Sequence, residues 1–172
     1  MRAKQMRKPF FSIRQRATRP IELIHTDLSG QIDPPFDGYN YYMTIFDDYA
    51  HFTTIYLLKY KSEAGRFLRK FVMENGNELN QKVSRIRCDR GGEYVGNAVT
   101  EWCERKGIKI DYSILHTPQL NRKAERLIRT ITNKARALVY DFEVSLELWG
   151  EAVYTATYRI NRIPTTKQTI PC

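Results

Sequence analysis

The sequence has little of what would mark several whole classes of protein. Of its 172 residues only 9 are glycine and 7 proline, too few for a collagen-like or low-complexity chain. Cysteine is scarce: Cys88, Cys103 and Cys172 are an odd number without CxxC spacing. That argues against a disulfide framework or a zinc site and for a reducing compartment. No apolar run approaches the roughly 18 residues of a membrane span. The N-terminus is basic but has no apolar segment of signal-peptide length, so neither a membrane nor a secretory address is expected. What is present suffices for a core, with 42% hydrophobic and 12% aromatic residues. A chain of this length buries roughly 70% of its unfolded surface. We expect one soluble, intracellular globular domain.

Acid is also missing from particular places. The net charge is +9, but it is unevenly spread. Residues 1–20 carry Arg2, Lys4, Arg7, Lys8, Arg14, Arg16 and Arg19 and no acid. Residues 113–140 carry Arg122, Lys123, Arg126, Arg129, Lys134 and Arg136 against Glu125 alone. The rest is slightly acidic. Basicity confined to a tail and one segment suits a polyanionic partner better than a uniformly cationic surface would. A solvated tail beside an ordinary charged helix would look the same, so charge suggests nucleic acid without establishing it.

Residues 1–20 show no periodicity and read as a basic linker or arm, ahead of a core over 21–164 and a tail over 165–172. Residues 21–28, 39–46 and 52–58 are short runs rich in Ile, Tyr, Thr and Phe, separated by Gly30, Pro34, Pro35, Gly38, Asp47 and Asp48. They predict three strands in an antiparallel meander. Ser62 and Glu63 open a helix in which Ala64, Phe67, Leu68, Phe71 and Val72 keep helical spacing, ending near Gly76. Strands over 83–88 and 108–112 bracket a short helix over 97–106. Over 121–140, Ala124, Ile128, Ile131, Ala135 and Leu138 form one stripe with Arg122, Arg129, Asn133 and Arg136 opposite. A last helix over 146–162 carries Trp149, Val153, Ala156 and Ile160 before Pro164. The expected architecture is α/β, a five-stranded mixed sheet flanked by helices.

Strand ends and the loops after them are where a sheet protein places chemistry. Asp27 closes the first strand in HTDLSG, Asp89 follows the fourth in IRCDRGGEY, and Glu125 sits early in the long helix. Spacing alone does not single them out. Asp27 and Glu63, Asp89 and Glu125, and Asp111 and Glu147 all have 35 residues between them. Glu63 is explained as a first-turn acid favoured by the helix dipole, and Glu147 as a surface charge at a helix start. Only Asp89 and Glu125 both adjoin turn-forming motifs on elements that could converge. His116 lacks a second histidine placed to share a metal. Cys88, Trp102 and Trp149 read as core, and Tyr39, Tyr41 and Tyr42 as strand aromatics.

Four segments together, IHTDLSG, CDRGGEY, HTPQLNRKAERLIRTITNKAR and LWGEAVYTATYRINRIPT, resemble the catalytic core of copia-type long-terminal-repeat retrotransposon integrases. The likeness runs over about residues 4–164, in the family's order and spacing. It implies a ribonuclease-H-like fold and a DDE-type polynucleotidyl transferase of the retroviral integrase superfamily, one that joins transposon DNA 3′ ends to target DNA. It maps the catalytic, metal-binding acids onto Asp27, Asp89 and Glu125, with two Mg²⁺ or Mn²⁺ ions. It makes the loop before Glu125 a mobile DNA-contacting element. DNA contacts are then expected from His116, Thr117, Gln119, Asn121, Arg122, Lys123 and Arg129. Transposon ends and target DNA, a second copy of the chain, and a nuclear or virus-like-particle location follow as expectations.

The residue types suit that chemistry. In-line attack on a phosphodiester needs the incoming oxygen activated and the leaving oxygen stabilised. Two hard cations about 3.5–4 Å apart do both, and carboxylate oxygens hold them. Some positions depart from the family pattern: Arg90 replaces an asparagine, and Leu120, Arg122 and Lys123 replace a glutamine, a glycine and an apolar residue. Losing the glycine should stiffen the loop, and the added cations should strengthen phosphate contact. The family's upstream His/Cys zinc module and downstream DNA-binding region are not in the sequence, which reads as a piece of a polyprotein or a domesticated copy. The alternative from another class is a catalytically silent DNA-binding or interaction module derived from such a core.

Overall fold

Side chains along β2 (Tyr41–Asp47) alternate between two cores, as the pleat of a strand covered on both faces requires. Met43 and Ile45 enter one and Tyr42 the other. The fold is a computed structural model that describes residues 16–32, 37–89, 91, 97–112, 122–143 and 145–163. Strands β1 (Leu23–Leu28), β2 and β3 (Thr53–Leu58) form the antiparallel meander, while β4 (Arg85–Cys88) and β5 (Lys109–Tyr112) add in parallel beside β1. The order across the mixed five-stranded sheet is β3-β2-β1-β4-β5. Helices α1 (Ala64–Glu78) and α2 (Asn97–Lys106) cover one face, where Ile24, Met43, Ile86, Leu68, Phe71 and Trp102 pack together. Helices α3 (Arg122–Asp141) and α4 (Trp149–Arg162) cover the other. There Ile131, Ala135, Trp149 and Val153 meet Tyr42, Ile55 and Leu57.

The expected elements are all present, with local corrections. The last residues of the basic arm expected over 1–20 are tied to the sheet. The Ala17 amide donates to Asp48 Oδ2 at 3.2 Å. Arg19 donates to Gln81 Oε1 (2.9 Å), Lys82 O (3.0 Å) and Ser84 Oγ (3.0 Å). Strand β1 begins at Leu23 and not Ile21, because Ile21 turns through a φ of 52° while its amide donates to Asp47 Oδ2. Helix α1 runs on past Gly76. That glycine gives room rather than a stop: a Cβ there would sit 3.2 Å from Gln81 O, where the returning chain bonds to Gly76 O. Gly107, with φ 69°, does stop α2 in the left-handed conformation glycine favours. Residues 1–15 and the tail over 165–172 lie outside the described residues. Among the described residues, no helix is long and apolar enough to cross a membrane.

Candidate active site

Parallel pairing of β1 with β4 brings the first two candidate acids together. The register matches Leu23 with Arg85, Ile24 with Ile86 and His25 with Arg87. Asp27 and Asp89 each follow the last of these pairs by two residues, so they stand level at the carboxyl ends of neighbouring strands. Period-two alternation puts them on the α3 side, with His25 and Arg87. Asp27 lies opposite Thr44 on β2, and its Oδ1 accepts the Leu28 amide at 3.0 Å. Asp89 bends the chain just past β4, its Oδ1 accepting the Gly91 amide at 3.0 Å. This is the self-capped turn that aspartate forms readily. Both carboxylates are half-buried.

Helix α3 crosses β1 and β2 on this face. Its apolar stripe is buried as the spacing predicts, with Ala124 and Ile131 inaccessible and Ala135 and Val139 nearly so. At about 100° per residue, Glu125 and Thr132 share one flank of that stripe and Lys123 occupies the other. The Glu125 flank is the one over Asp27. Tyr42 reaches up from β2, donates to Ile128 O at 3.1 Å and shares a 2.6 Å bond with Thr132 Oγ1. Its phenol is pushed up to about 12, first by burial; the Thr132 bond opposes this and the Asp27 carboxylate adds to it. Asp27 and the Glu125 flank of α3 thus meet around Tyr42. Glu125 itself is exposed.

The opposite flank meets a buried polar cluster that no sequence motif marks. Lys123 forms an ion pair with Asp48 Oδ1, which lies 3.2 Å from His25 Nε2. Both His25 and Asp48 are buried. A carboxylate partner fixes the imidazole in its Nε2–H tautomer, leaving Nδ1 without a partner among the described residues. Burial would raise the Asp48 carboxyl, but the His25 and Lys123 donors outweigh it and hold the group well below the usual range. Burial depresses the His25 imidazole, against the pull of Asp48. Lys123, expected among the phosphate-contacting cations, turns inward to Asp48. Asp111, the accidental partner of Glu147 in spacing, is likewise accounted for by Arg85, Arg87 and Lys109 at 3.6–3.7 Å.

Of the remaining expected DNA contacts, Arg129 lies exposed on the outer side of α3. Arg122 begins that helix. His116, Thr117, Gln119 and Asn121 lie outside the described residues, as does Gly92. Among the described residues, no three His, Cys, Asp or Glu side chains are gathered into a ready metal cage. The donors still fit Mg²⁺ or Mn²⁺. They are hard carboxylate oxygens, part-exposed to the hydration water such ions retain. Magnesium is ordinarily held by one or two carboxylates plus substrate phosphates, not by an all-protein cage. The thiol of Cys88 is buried in the core under α1 and α2, on the opposite face.

This arrangement defines a class: a mixed sheet with acids at the ends of its central parallel strands and a third on the helix above. The same fold occurs in a cryo-EM structure of the simian T-cell lymphotropic virus intasome in complex with PP2A regulatory subunit B56 gamma. That likeness has a TM-score of 0.76 at 18% identity, covering 98% of this chain and 59% of that one, and identifies the fold as ribonuclease-H-like. Residues 17–118 match the Integrase core domain, and the chain belongs to that family. Its relatives include the retrovirus-related Pol polyprotein from transposon TNT 1-94 of Nicotiana tabacum, 35% identical over 162 residues. Those from transposons RE1 and RE2 of Arabidopsis thaliana are 31% and 29% identical. Each match covers 94% of this chain but only 11–12% of the polyprotein. The chain is thus an integrase core domain similar to a segment of those transposon Pol polyproteins, about a ninth of whose length it spans.

Proposed function

We propose that this domain is a metal-dependent polynucleotidyl transferase that joins transposon DNA 3′ ends to target DNA. Asp27, Asp89 and Glu125 are its catalytic acids. The observation that supports the reading is that Asp27 and Asp89 stand side by side at the ends of adjacent parallel strands. Divalent ions held there would lower the pKa of the attacking hydroxyl and neutralise charge on the leaving oxygen. The chain's own residues supply the rest. Asp27, in a strand hydrogen-bonded on both sides, is a fixed oxygen donor; Asp89 is aimed by its turn; Glu125 closes the site from above. Arg129, with Arg122 at the helix start, meets the phosphodiester backbone, where each neutralised phosphate adds salt-sensitive affinity. Transposon and target DNA, a second copy of the chain and a nuclear site of action belong to the same proposal.

The test is incubation of the full chain with Mn²⁺ and a DNA carrying a pre-joined end. Metal-dependent joining is expected, and its loss in Asp27→Asn, Asp89→Asn and Glu125→Gln with DNA binding retained. DNA binding without any chemistry in either Mn²⁺ or Mg²⁺ would instead identify a silent DNA-binding module. Cleavage without joining would identify a nuclease. Binding of the metal alone should stabilise the fold by about 1.4 kcal/mol at ten times its dissociation constant. A melting temperature identical in EDTA and saturating Mn²⁺ counts against an assembled site.

A further inference from the structure

We infer that Lys123 is a positioning residue. Tied through Asp48 to His25, it fixes the first turn of α3 and with it the height of Glu125 above Asp27. The inference rests on the reading of Glu125 as a metal-binding acid. Its structural basis is separate from that reading. The first turn of a helix has unpaired amides and opens most readily, and Glu125 is the fourth residue of α3. An exposed carboxylate on a fraying turn would spend little time where an ion could use it.

Two ties straddle it. At residues 128 and 132, Tyr42 bonds the second and third turns to β2. At residue 123, the Lys123 ammonium enters a pocket made by Asp48, the buried His25 and Phe46, whose ring centroid is 5.8 Å from Nζ. The anchor is rigid. The Asp48 amide donates to Leu23 O at 3.0 Å, and its Oδ2 accepts from Ala17. Only 2% of its side chain is accessible, against 35% for Lys123, so the lysine is the replaceable half. Both ties are rooted in the strands that carry the candidate site. His25 precedes Asp27 by two residues on the same face of β1, and Tyr42 lies two before Thr44, the cross-strand partner of Asp27. Together they hold Glu125 in register with Asp27. A cation spent in this way is withdrawn from DNA, which separates Lys123 from Arg129.

The experiment compares the full chain with Lys123→Met, which keeps the stem and loses the charge, Lys123→Arg, which restores the charge, and Arg129→Ala. Four quantities are read: hydrogen exchange along α3, Mn²⁺ affinity by calorimetry, the salt dependence of DNA binding, and kcat and KM for joining. In Lys123→Met, exchange should quicken in the first turn of α3 and nowhere else. Mn²⁺ affinity and kcat should each fall about 10- to 100-fold, the usual cost of losing an outer support of a metal site. KM and the salt slope should stay put. Lys123→Arg should recover most of the loss. Arg129→Ala should instead flatten the log–log salt slope by about 0.9, one phosphate contact.

A salt slope flattened by Lys123→Met, with Mn²⁺ affinity intact, overturns the inference and returns Lys123 to the DNA-contacting set. Unchanged exchange in the first turn overturns it too. Glu125→Gln separates the two readings. If it leaves Mn²⁺ affinity unchanged while Lys123→Met still loosens the turn, Lys123 is only a structural post and the assignment of Glu125 fails. If Lys123→Met melts the whole domain, Lys123→Arg decides: a native melting temperature, with Mn²⁺ affinity falling only in step with any quickened exchange in the first turn, supports positioning. Full metal affinity in that variant, despite a loosened first turn, refutes it.

Discussion

The two faces of the sheet are built on different terms. Under α1 and α2 the interface is almost wholly apolar, with Ile24, Met43, Ile45, Leu58 and Ile86 inaccessible or nearly so. Under α3 and α4 the face is divided along the strands. Toward β3, Tyr42, Ile55, Leu57, Ile131 and Trp149 make a second dry core. Toward β4 and β5 the same face holds His25, Asp27, Arg87, Asp89 and Asp111, with Asp48 at its edge. The difference teaches where each property resides. Apolar burial is non-directional and tolerates little loss of volume, so the first face sets stability. Charged groups in a half-buried setting are costly unless paired or bound. The polar half of the second face therefore holds ion pairs, as at Asp48 and Asp111, beside the strand-end acids Asp27 and Asp89, which accept backbone amides.

Exchanging the two properties should give the largest effects. Asp89→Asn should lower metal-dependent joining by on the order of a thousandfold or more. Its stability should stay within about 0.5 kcal/mol of wild type, or rise as carboxylate repulsion is relieved. On the other face, Ile86→Ala empties a fully buried position in the central strand β4 and should cost about 2–5 kcal/mol. Urea unfolding monitored alongside the joining assay checks both. A stability loss in Asp89→Asn as large as that in Ile86→Ala would erase the division between the faces.

Next in size is the response to acid. Asp48 is held below the ordinary carboxylate range, burial being outweighed by donors from His25 on β1, Lys123 on α3 and the Ala17 amide; Arg87 on β4 adds a more distant positive charge. A depressed folded pKa contributes stability that is complete above the unfolded value, about 3.9. That contribution is lost as pH falls toward the folded one. The domain should therefore weaken from about pH 4 downward, and Asp48→Asn should remove that part of the acid sensitivity. Chemical denaturation at a series of pH values measures it. An unaltered acid limb in Asp48→Asn would show that other carboxylates set it.

A smaller effect is expected where the apolar half of the second face meets the sheet edge. Asn161 on α4 accepts the Thr53 amide at 2.9 Å and donates to Thr53 O at 2.8 Å. It thereby satisfies one outward-facing residue of edge strand β3, which would otherwise be left buried and unpaired. Asn161→Ala should cost about 1–3 kcal/mol with joining chemistry intact, read by thermal melting.

Much of this was legible because periodicity reports burial. The stripe on α3, the alternation in β2 and the glycine after α2 each translate directly into structure. Gly76 misled because the same residue serves a helix stop and a close approach, and only the returning chain at Gln81 tells which. Asp27 and Asp89 were found through the motifs around them, since a carboxylate at a strand end looks the same whether or not a neighbouring strand brings another beside it. Lys123 and Asp48 could not be paired from the sequence. They are 75 residues apart, and a lysine on a basic helix reads as a surface charge until the fold shows which flank faces the sheet.

The smallest effects are the most discriminating test of that last point, because three acid pairs share one spacing. Glu63 Oε2 accepts the Lys59 and Tyr60 amides at 2.8 and 3.1 Å, and its Oε1 meets Arg66 at 3.1 Å. It is a cap at the start of α1. Glu147 is exposed in the short turn before α4, where the Ser145 hydroxyl accepts its amide. Neither is near Asp27 or Asp89 in the sheet order, since α1 packs on the opposite face and Glu147 lies beyond the far end of α3. Glutamine keeps an amide oxygen that can still cap, so Glu63→Gln should cost only a few tenths of a kcal/mol in lost helix-dipole and ion-pair energy. Glu147→Gln should cost no more. Both should join DNA at the wild-type rate while Glu125→Gln does not. If either control loses activity with its melting temperature unchanged, the third acid has been placed on the wrong helix.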